Sequence, residues 1–276
     1  MEICKEQLVS MLVLSCDNYS DLWDDFFNLK EKFWPNCPYK WYVVTESFDF
    51  KKRGVLTIKC GKELNWTGRF RYALNQISSP IVGVFLEDYF IKSPIDDDRI
   101  FSFINLMIKD NVSYLNLGDV FKKLCNYRDK AYYSDHLIII PKHWRYGINT
   151  SAALWNKEYL LTKIGDKDIS AWQFELDRCL EAESESGLEG LILSDDQLSF
   201  NVSEEPVVIQ GQLYPPAVKF FKKVVGYEIL SNRKRMSSKD VFKYKLKVRI
   251  ARVKYGRAIL KWVGTHLLGY KFFTKD

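Results

Sequence analysis

Six consecutive apolar residues, Ile81-Val82-Gly83-Val84-Phe85-Leu86, run directly into two carboxylates, Glu87 and Asp88. An apolar run of this length with a β-branched bias reads as a buried strand. The carboxylates then fall at its carboxyl end, which is where open α/β sheets hold ligands. Adjacent carboxylates are hard oxygen ligands suited to Mg²⁺ or Mn²⁺, and such ions commonly hold a substrate diphosphate. A solvated turn after a core strand fits the same residues equally well.

The pattern recurs upstream. Leu8 to Leu14 reads as a first buried strand, ending at Ser15-Cys16-Asp17-Asn18-Tyr19. Ser20 is placed to cap a helix with Asp21, Asp24 and Asp25 in its first turn, and Pro35 and Pro38 stop it. Trp41 to Thr45 is a second strand, ending at Glu46-Ser47-Phe48-Asp49, and Val55 to Ile58 a third. Thr67 and Gly68 open a helix through Ile77, with Arg69 and Arg71 in its first turns. Such alternation predicts an α/β fold, a Rossmann-like, mostly parallel sheet flanked by helices. Further along, 98–109 predicts a helix, while 112–117 and 137–140 predict strands. Residues 149–161 predict a loop leading into a helix, and 169–180 a helix carrying Trp172, Phe174, Glu175 and Asp177. The acidic stretch 181–190 predicts a mobile loop, and Val207 to Ile209 a short strand.

At 276 residues and 47% hydrophobic content the chain can bury a substantial core. No run approaches the roughly 18 apolar residues of a membrane span. Glu2 and Glu6 spoil the basic start of a secretory signal, so a cytoplasmic location is expected. The six cysteines lie at least twelve residues apart, which excludes CxxC metal or redox patterns, and the three histidines have no metal-ligand spacing.

Charge divides the chain. Residues 217–276 carry 17 Lys and Arg against 3 Asp and Glu, and residues 1–216 hold the other 24 and 32. This sets a body, 1–216, against a basic C-terminal segment, 217–276. Within that segment cations interleave with apolar side chains, and the length without breakers favours a helix over about 239–263. A basic amphipathic helix suits an anionic membrane surface. A solvated helix packed on the body is the plainer alternative. No nucleic-acid motif is present, and nucleic acid is not an expected partner.

Three polar clusters, Asp17/Asn18, Glu46/Asp49 and Glu87/Asp88, fall on one edge of the expected sheet. The second suits a ribose or base, the third a phosphate-bound metal, and Arg69 or Arg71 a diphosphate at a helix start.

In this order of parts the chain resembles the GT-A class of nucleotide-sugar-dependent glycosyltransferases, in particular those of bacterial surface-polysaccharide assembly. The resemblance covers roughly residues 8–210. Ser15 to Tyr19 is similar to the family's first loop, and Thr45 to Asp49 to its acidic nucleotide-binding turn. Trp66-Thr67-Gly68-Arg69 with Ala73-Leu74-Asn75 resembles its diphosphate-side helix, and Glu87-Asp88-Tyr89 its metal-binding DxD motif. The acceptor segment and base resemble Asn149 to Trp155 and Trp172 to Glu175. A strict DxD would need Asp at 87 and 89, where this chain has Glu87 and Tyr89.

The resemblance implies a nucleotide-sugar donor bound by Ser15, Asp17, Asn18, Glu46, Asp49, Arg69 and Arg71, with a divalent metal at Glu87 and Asp88. It implies a glycan or lipid-linked acceptor, and an enzyme acting at the inner face of the cell membrane. Glu175 or Asp177 is the expected base; two apart on a helix, they cannot share a face. Glu175 is preferred because Trp172 and Phe174 flank it and would exclude water. Direct displacement inverts the anomeric centre, and a retaining route stays open where no protein base acts. Trp144, Tyr146, Trp155 and Trp172 are candidate sugar-stacking rings. The alternative is a non-catalytic peripheral membrane or polyanion-binding protein on a degenerate nucleotide-binding fold.

Overall fold

The computed structural model describes residues 5–118, 131–197, 200–203 and 205–251. A four-residue helix, α1 (Lys5–Leu8), leads into β1 (Val9–Leu14), whose six residues are all buried. The other strands of the main sheet are β2 (Lys40–Thr45), β3 (Val55–Lys59), β4 (Ile81–Phe85), β5 (Val112–Asn116), β6 (Tyr132–Ser134), β7 (Leu137–Ile139), β8 (Ala153–Asn156) and β9 (Leu191–Asp195). Their order is β3-β2-β1-β4-β8-β5-β9-β7-β6. The pairings from β3 through β4 are parallel, as is β5 with β9, whereas β8 and β7 run against their neighbours. The result is a Rossmann-like α/β fold with a mostly parallel mixed sheet, as the strand-helix alternation predicts.

Alternate residues of each strand serve opposite cores. Val9, Met11 and Val13 join one core, with α2 (Trp23–Phe33) and α4 (Asp97–Lys109). Leu12 and Leu14 join the other, with α3 (Trp66–Asn75), α5 (Lys157–Ile164) and α6 (Ala171–Ala182). Trp41 centres the first core, its ring 5.2–6.2 Å from those of Phe26, Phe27, Trp34 and Phe85. Gly83 lies opposite Met11, and a Cβ there would meet the Met11 sulfur at 2.4 Å. Glycine in this strand therefore reflects a close approach.

Three local expectations are corrected. Ser20 caps no helix: a 3₁₀ turn over Asp17–Leu22 continues directly into α2, with no side-chain cap. The segment expected to enter a helix near Ala152 instead forms β8, inserted antiparallel between β4 and β5, and helix begins only at Lys157. Ala153, Leu154 and Trp155 are buried from both faces, which a short strand achieves and a surface helix does not. The Asn156 side chain then caps α5 by accepting the Tyr159 amide at 3.1 Å. Finally, β9 follows the acidic stretch, where no strand was expected.

Beyond β9, the small hairpin β10 (Val208–Ile209) and β11 (Gln212–Leu213) leads to α7 (Pro215–Phe220). The basic segment does not leave the body at residue 217: Phe221 is fully buried and Met236 nearly so. Asp25 of α2, itself buried, accepts from the Tyr227 hydroxyl at 2.9 Å, the Leu230 amide at 2.8 Å and the Ser231 amide at 3.2 Å. Helix α8 (Ser238–Ala251) follows. Residues 252–276, with Trp262, Leu267, Phe272 and Phe273 of the expected membrane-facing segment, lie outside the described residues.

Candidate functional site

The chain runs from β1 to β2 and β3 on one side, then returns to β4 on the other side of β1. This reversal opens a crevice at the carboxyl ends of β1 and β4, the usual ligand position in such sheets. Ser15 follows β1 and accepts from the indole N–H of Trp23 at 2.8 Å. Glu87, beyond the end of β4, lies close enough for the Ser15 hydroxyl to act on its carboxyl. Glu87 is 7% exposed. Burial first, then the charge of Asp88, push the Glu87 carboxyl far above the usual carboxylate range; burial does the same to Asp88. The charge of Arg233 opposes both shifts. The two acids thus form a coupled pair that resists carrying two negative charges.

Asp17 and Glu46, expected to contact a ligand, hold each other. Asp17 accepts the amides of Glu46 at 3.0 Å, Ser47 at 3.0 Å and Phe48 at 3.2 Å, and the Ser47 hydroxyl at 2.5 Å. Burial acts upward on its carboxyl, but the Ser47 hydroxyl and these amides outweigh it and hold the group low. Glu46 accepts from the Asp17 amide at 3.1 Å and pairs with Arg69 at 2.8 Å. This lattice clamps the loops after β1 and β2 together.

The helix start expected to attract a diphosphate holds an internal anion. Asp168 accepts the Asn65 amide at 2.7 Å and the Gly68 amide at 2.9 Å, covering the first turn of α3. A Cβ on Gly68 would lie 2.7 Å from the Asp168 carboxylate. Arg71 donates to the carbonyl of Gly165, away from the crevice. Asp49 and the Asn18 side chain are exposed, and the Asn18 carbonyl accepts from Arg233.

Glu175 is brought to the same edge by α6. Thr150 donates to its Oε1 through the amide at 2.8 Å and the hydroxyl at 2.7 Å. The next residue belongs to a buried polar network: Asn116 Nδ2 donates to Ser151 Oγ at 3.0 Å, and the Ser151 amide donates to Asn149 Oδ1 at 2.9 Å. Asp177 instead accepts from Gln173 at 2.7 Å along its own helix. Trp172 does not shield Glu175, being 72% exposed, and Phe174 sinks into the core. Trp155 is buried against Tyr114, so it offers no surface to a sugar.

Tyr89 links the two carboxylate groups. After burial, the charges that raise its phenol are Asp88, then Glu175, followed by Tyr244 and Glu205. Charges from the crevice end of β4, helix α6, the 205 loop and α8 therefore all reach one side chain. Among the described residues no three His, Cys, Asp or Glu side chains gather as a metal cage. Two carboxylates still fit Mg²⁺ or Mn²⁺, which bind through one or two such groups and take their remaining ligands from water and substrate phosphate. The buried Glu87 and the partly buried Asp88, which repel each other, are a donor set of that kind.

Sequence reasoning missed Asp168, Glu205 and Arg233. Asp168 carries no local signal, because its partners Asn65 and Gly68 are about a hundred residues away. Arg233 stood out only as one charge in a basic segment.

No family model matches the chain, and no curated protein matches it. Among solved structures, the bifunctional IspDF from Campylobacter jejuni is 12% identical with a TM-score of 0.34, over 61% of this chain and 47% of that one. A cytidylyltransferase from Leptospira borgpetersenii serovar Hardjo-bovis is 11% identical with a TM-score of 0.41, over 84% of this chain and 100% of that one. TarS from S. aureus is 10% identical with a TM-score of 0.38, over 68% of this chain and 36% of that one.

Proposed function

We propose that the chain is a nucleotide-sugar-dependent glycosyltransferase whose donor diphosphate lies in the crevice between β1 and β4. The observation that carries this reading is the pair Glu87 and Asp88 at the carboxyl end of β4, beside the reversal of strand order, with Glu175 held on α6 by Thr150. A transferase of this kind needs one acidic group where the diphosphate leaves and another where the acceptor is deprotonated. Glu87 and Asp88 would hold a divalent cation, which would neutralise phosphate charge when bound. Glu175 keeps Oε2 free of hydrogen bonds among the described residues, while Thr150 fixes Oε1. In this reading the acceptor hydroxyl attacks the anomeric carbon and its proton passes to Glu175. The bond to the diphosphate breaks with the electron pair leaving on phosphate oxygen, and the anomeric centre inverts. Arg69, Glu46 and Asp17 shape the nucleotide side of the crevice as a rigid wall.

The acceptor is a glycan or lipid-linked glycan of bacterial surface-polysaccharide assembly, reached from the inner face of the membrane. On α8, Val241, Tyr244 and Val248 are partly buried, while Phe242 and Leu246 are 67% and 46% exposed among Lys239, Lys243, Lys245 and Lys247. That outward face suits an anionic lipid surface. Among the described residues no helix is long and apolar enough to cross a membrane.

The test is a thermal-shift and transfer screen of the full chain over nucleoside-diphosphate sugars with Mn²⁺. A bound donor raises the melting temperature by linkage. Release of nucleoside diphosphate on adding a glycan acceptor supports transfer; no shift with any donor overturns the reading.

A further inference from the structure

Beyond Phe221 the chain doubles back across the loop that follows β1. With residues 227–231 pinned to Asp25, Arg233 is carried to the rim of the crevice. Its Nε donates to the two oxygens of Asp21 at 3.0 and 2.8 Å. Its Nη2 donates to Asp21 Oδ1 at 2.7 Å and to the Asn18 carbonyl. The guanidinium carbon lies 4.4 Å from the centroid of the Tyr19 ring. The charges of Asp88, Glu87 and Arg233 all reach the Tyr19 phenol, so the guanidinium and ring lie within the field of the acidic pair. Nη1 makes no hydrogen bond among the described residues. One edge of a planar cation is thus locked by Asp21 and Asn18, its face is seated on Tyr19, and its remaining nitrogen is unspent.

A structural latch would be complete with the Asp21 pair alone. The unspent nitrogen is the useful part. A diphosphate entering the crevice meets two acids at its floor and needs positive charge on its outer side. The amides at the start of α3 cannot supply it, because Asp168 covers that turn. Guanidinium groups take phosphate oxygens through charge-assisted hydrogen bonds. We propose that Arg233 is a phosphate-binding residue of the donor site, delivered from the C-terminal return of the chain and oriented by Asp21 and Tyr19. This rests on the reading of the crevice as a diphosphate site. It also brings Arg233, which composition sets apart with the basic extension, into that site.

The experiment is calorimetric titration of the full chain with inorganic pyrophosphate and with UDP, each with Mn²⁺. Arg233→Met should weaken pyrophosphate binding by about tenfold or more, the loss expected for one charge-assisted phosphate contact. Tyr227→Phe, which removes one hydrogen bond to Asp25 but keeps the guanidinium, should change pyrophosphate binding by no more than about twofold, the scale of a substitution that touches no ligand. Should Arg233→Met fail to fold, arginine modification of the unaltered chain by phenylglyoxal, read by peptide mass, decides instead: saturating pyrophosphate should protect Arg233 and leave exposed Arg53 reactive. Unchanged affinity in Arg233→Met, equal losses in Arg233→Met and Tyr227→Phe, or no protection of Arg233 would overturn the assignment while leaving the crevice as a diphosphate site. Failure of the unaltered chain to bind either probe would bring down the diphosphate reading and this assignment with it.

Discussion

Thr150 holds Glu175 by a single oxygen. Its amide and hydroxyl both donate to Oε1, at 2.8 and 2.7 Å, and Oε2 makes no hydrogen bond among the described residues. The pair ties α6 to the turn that feeds β8. The strand that interrupts the parallel order of the sheet therefore also sets the position of the carboxylate.

If Glu175 takes the acceptor proton, Glu175→Gln should lower kcat by roughly 10²- to 10⁴-fold with little change in donor affinity. Thr150→Val keeps the carboxylate but removes one of its two anchors, and should cost less. Steady-state transfer with separate donor-binding titrations distinguishes the two effects. An unchanged kcat in Glu175→Gln would turn attention to Asp177 or to a route with no protein base.

The acidic pair predicts a pH dependence. Glu87 and Asp88 are raised in the folded chain from ordinary carboxylate values to about 8 and about 7. A raised carboxyl stabilises the fold below its unfolded pKa, and that contribution is lost as pH rises through the folded pKa. Stability from the pair should therefore fall between about pH 4 and about pH 8. Glu87→Gln should gain stability over the unaltered chain at pH 8 and show little gain at pH 4. Mn²⁺ should raise the melting temperature more at pH 8 than at pH 5, because the ion competes with protons for the carboxylates. Denaturant melts across this range check the first effect, and the same melts with Mn²⁺ or EDTA the second. A Mn²⁺ shift that does not depend on pH, or persists in Asp88→Asn, would remove the pair as the cation site.

Gly68 and Asp168 make a stability prediction independent of function. The carboxylate that covers the start of α3 sits where a Cβ on Gly68 would intrude, at 2.7 Å. Gly68→Ala should cost about 1–3 kcal/mol, the usual range for overpacking. Asp168→Ala should cost about 0.5–2 kcal/mol, the range for a lost helix cap. The double substitution should cost less than the sum, because the clash of the new Cβ exists only while the Asp168 carboxylate is present. Additive losses in urea melts would mean that the two residues act separately.

Most of the sheet was readable because its central strands are short, β-branched and bounded by turn residues, as in Ile81 to Phe85 and Trp41 to Thr45. The polar clusters at their ends were readable for the same reason, since strand direction in a parallel sheet fixes the edge on which they fall. What could not be read depends on distant partners. Ala153 to Trp155 is equally apolar as helix or strand, and only the gap between β4 and β5 decides between them. Asp17 and Glu46 looked like ligand contacts because both end strands, yet adjacent strand ends also let them satisfy each other. Asp21 and Asp25 looked like helix-start acids. Their actual partners, Arg233 and Tyr227, lie about two hundred residues away, beyond any local pattern.

The C-terminal segment predicts a sharp dependence on where it is cut. Removing residues 217–276 would take Phe221 and Met236 from the core and leave the buried Asp25 carboxylate without its three donors. An unsatisfied buried charge is costly, so this truncation should unfold or aggregate. Removing only 237–276 spares these contacts and should leave a folded body. That body should lose its affinity for anionic vesicles if α8 and the residues beyond it meet the membrane. Each Lys or Arg near such a surface contributes about 1 kcal/mol, so four engaged lysines of α8 would outweigh the shallow burial of Phe242. Binding should then weaken steeply as salt shortens the range of the attraction. Phe242→Ser with Leu246→Ser should reduce it further, without altering the fold, because both side chains already face solvent. Cosedimentation with anionic and neutral vesicles at low and high salt is the measurement. Equal binding to both lipids, or full binding by the shorter truncation, would place the membrane contact elsewhere and leave α8 as a helix packed on the body.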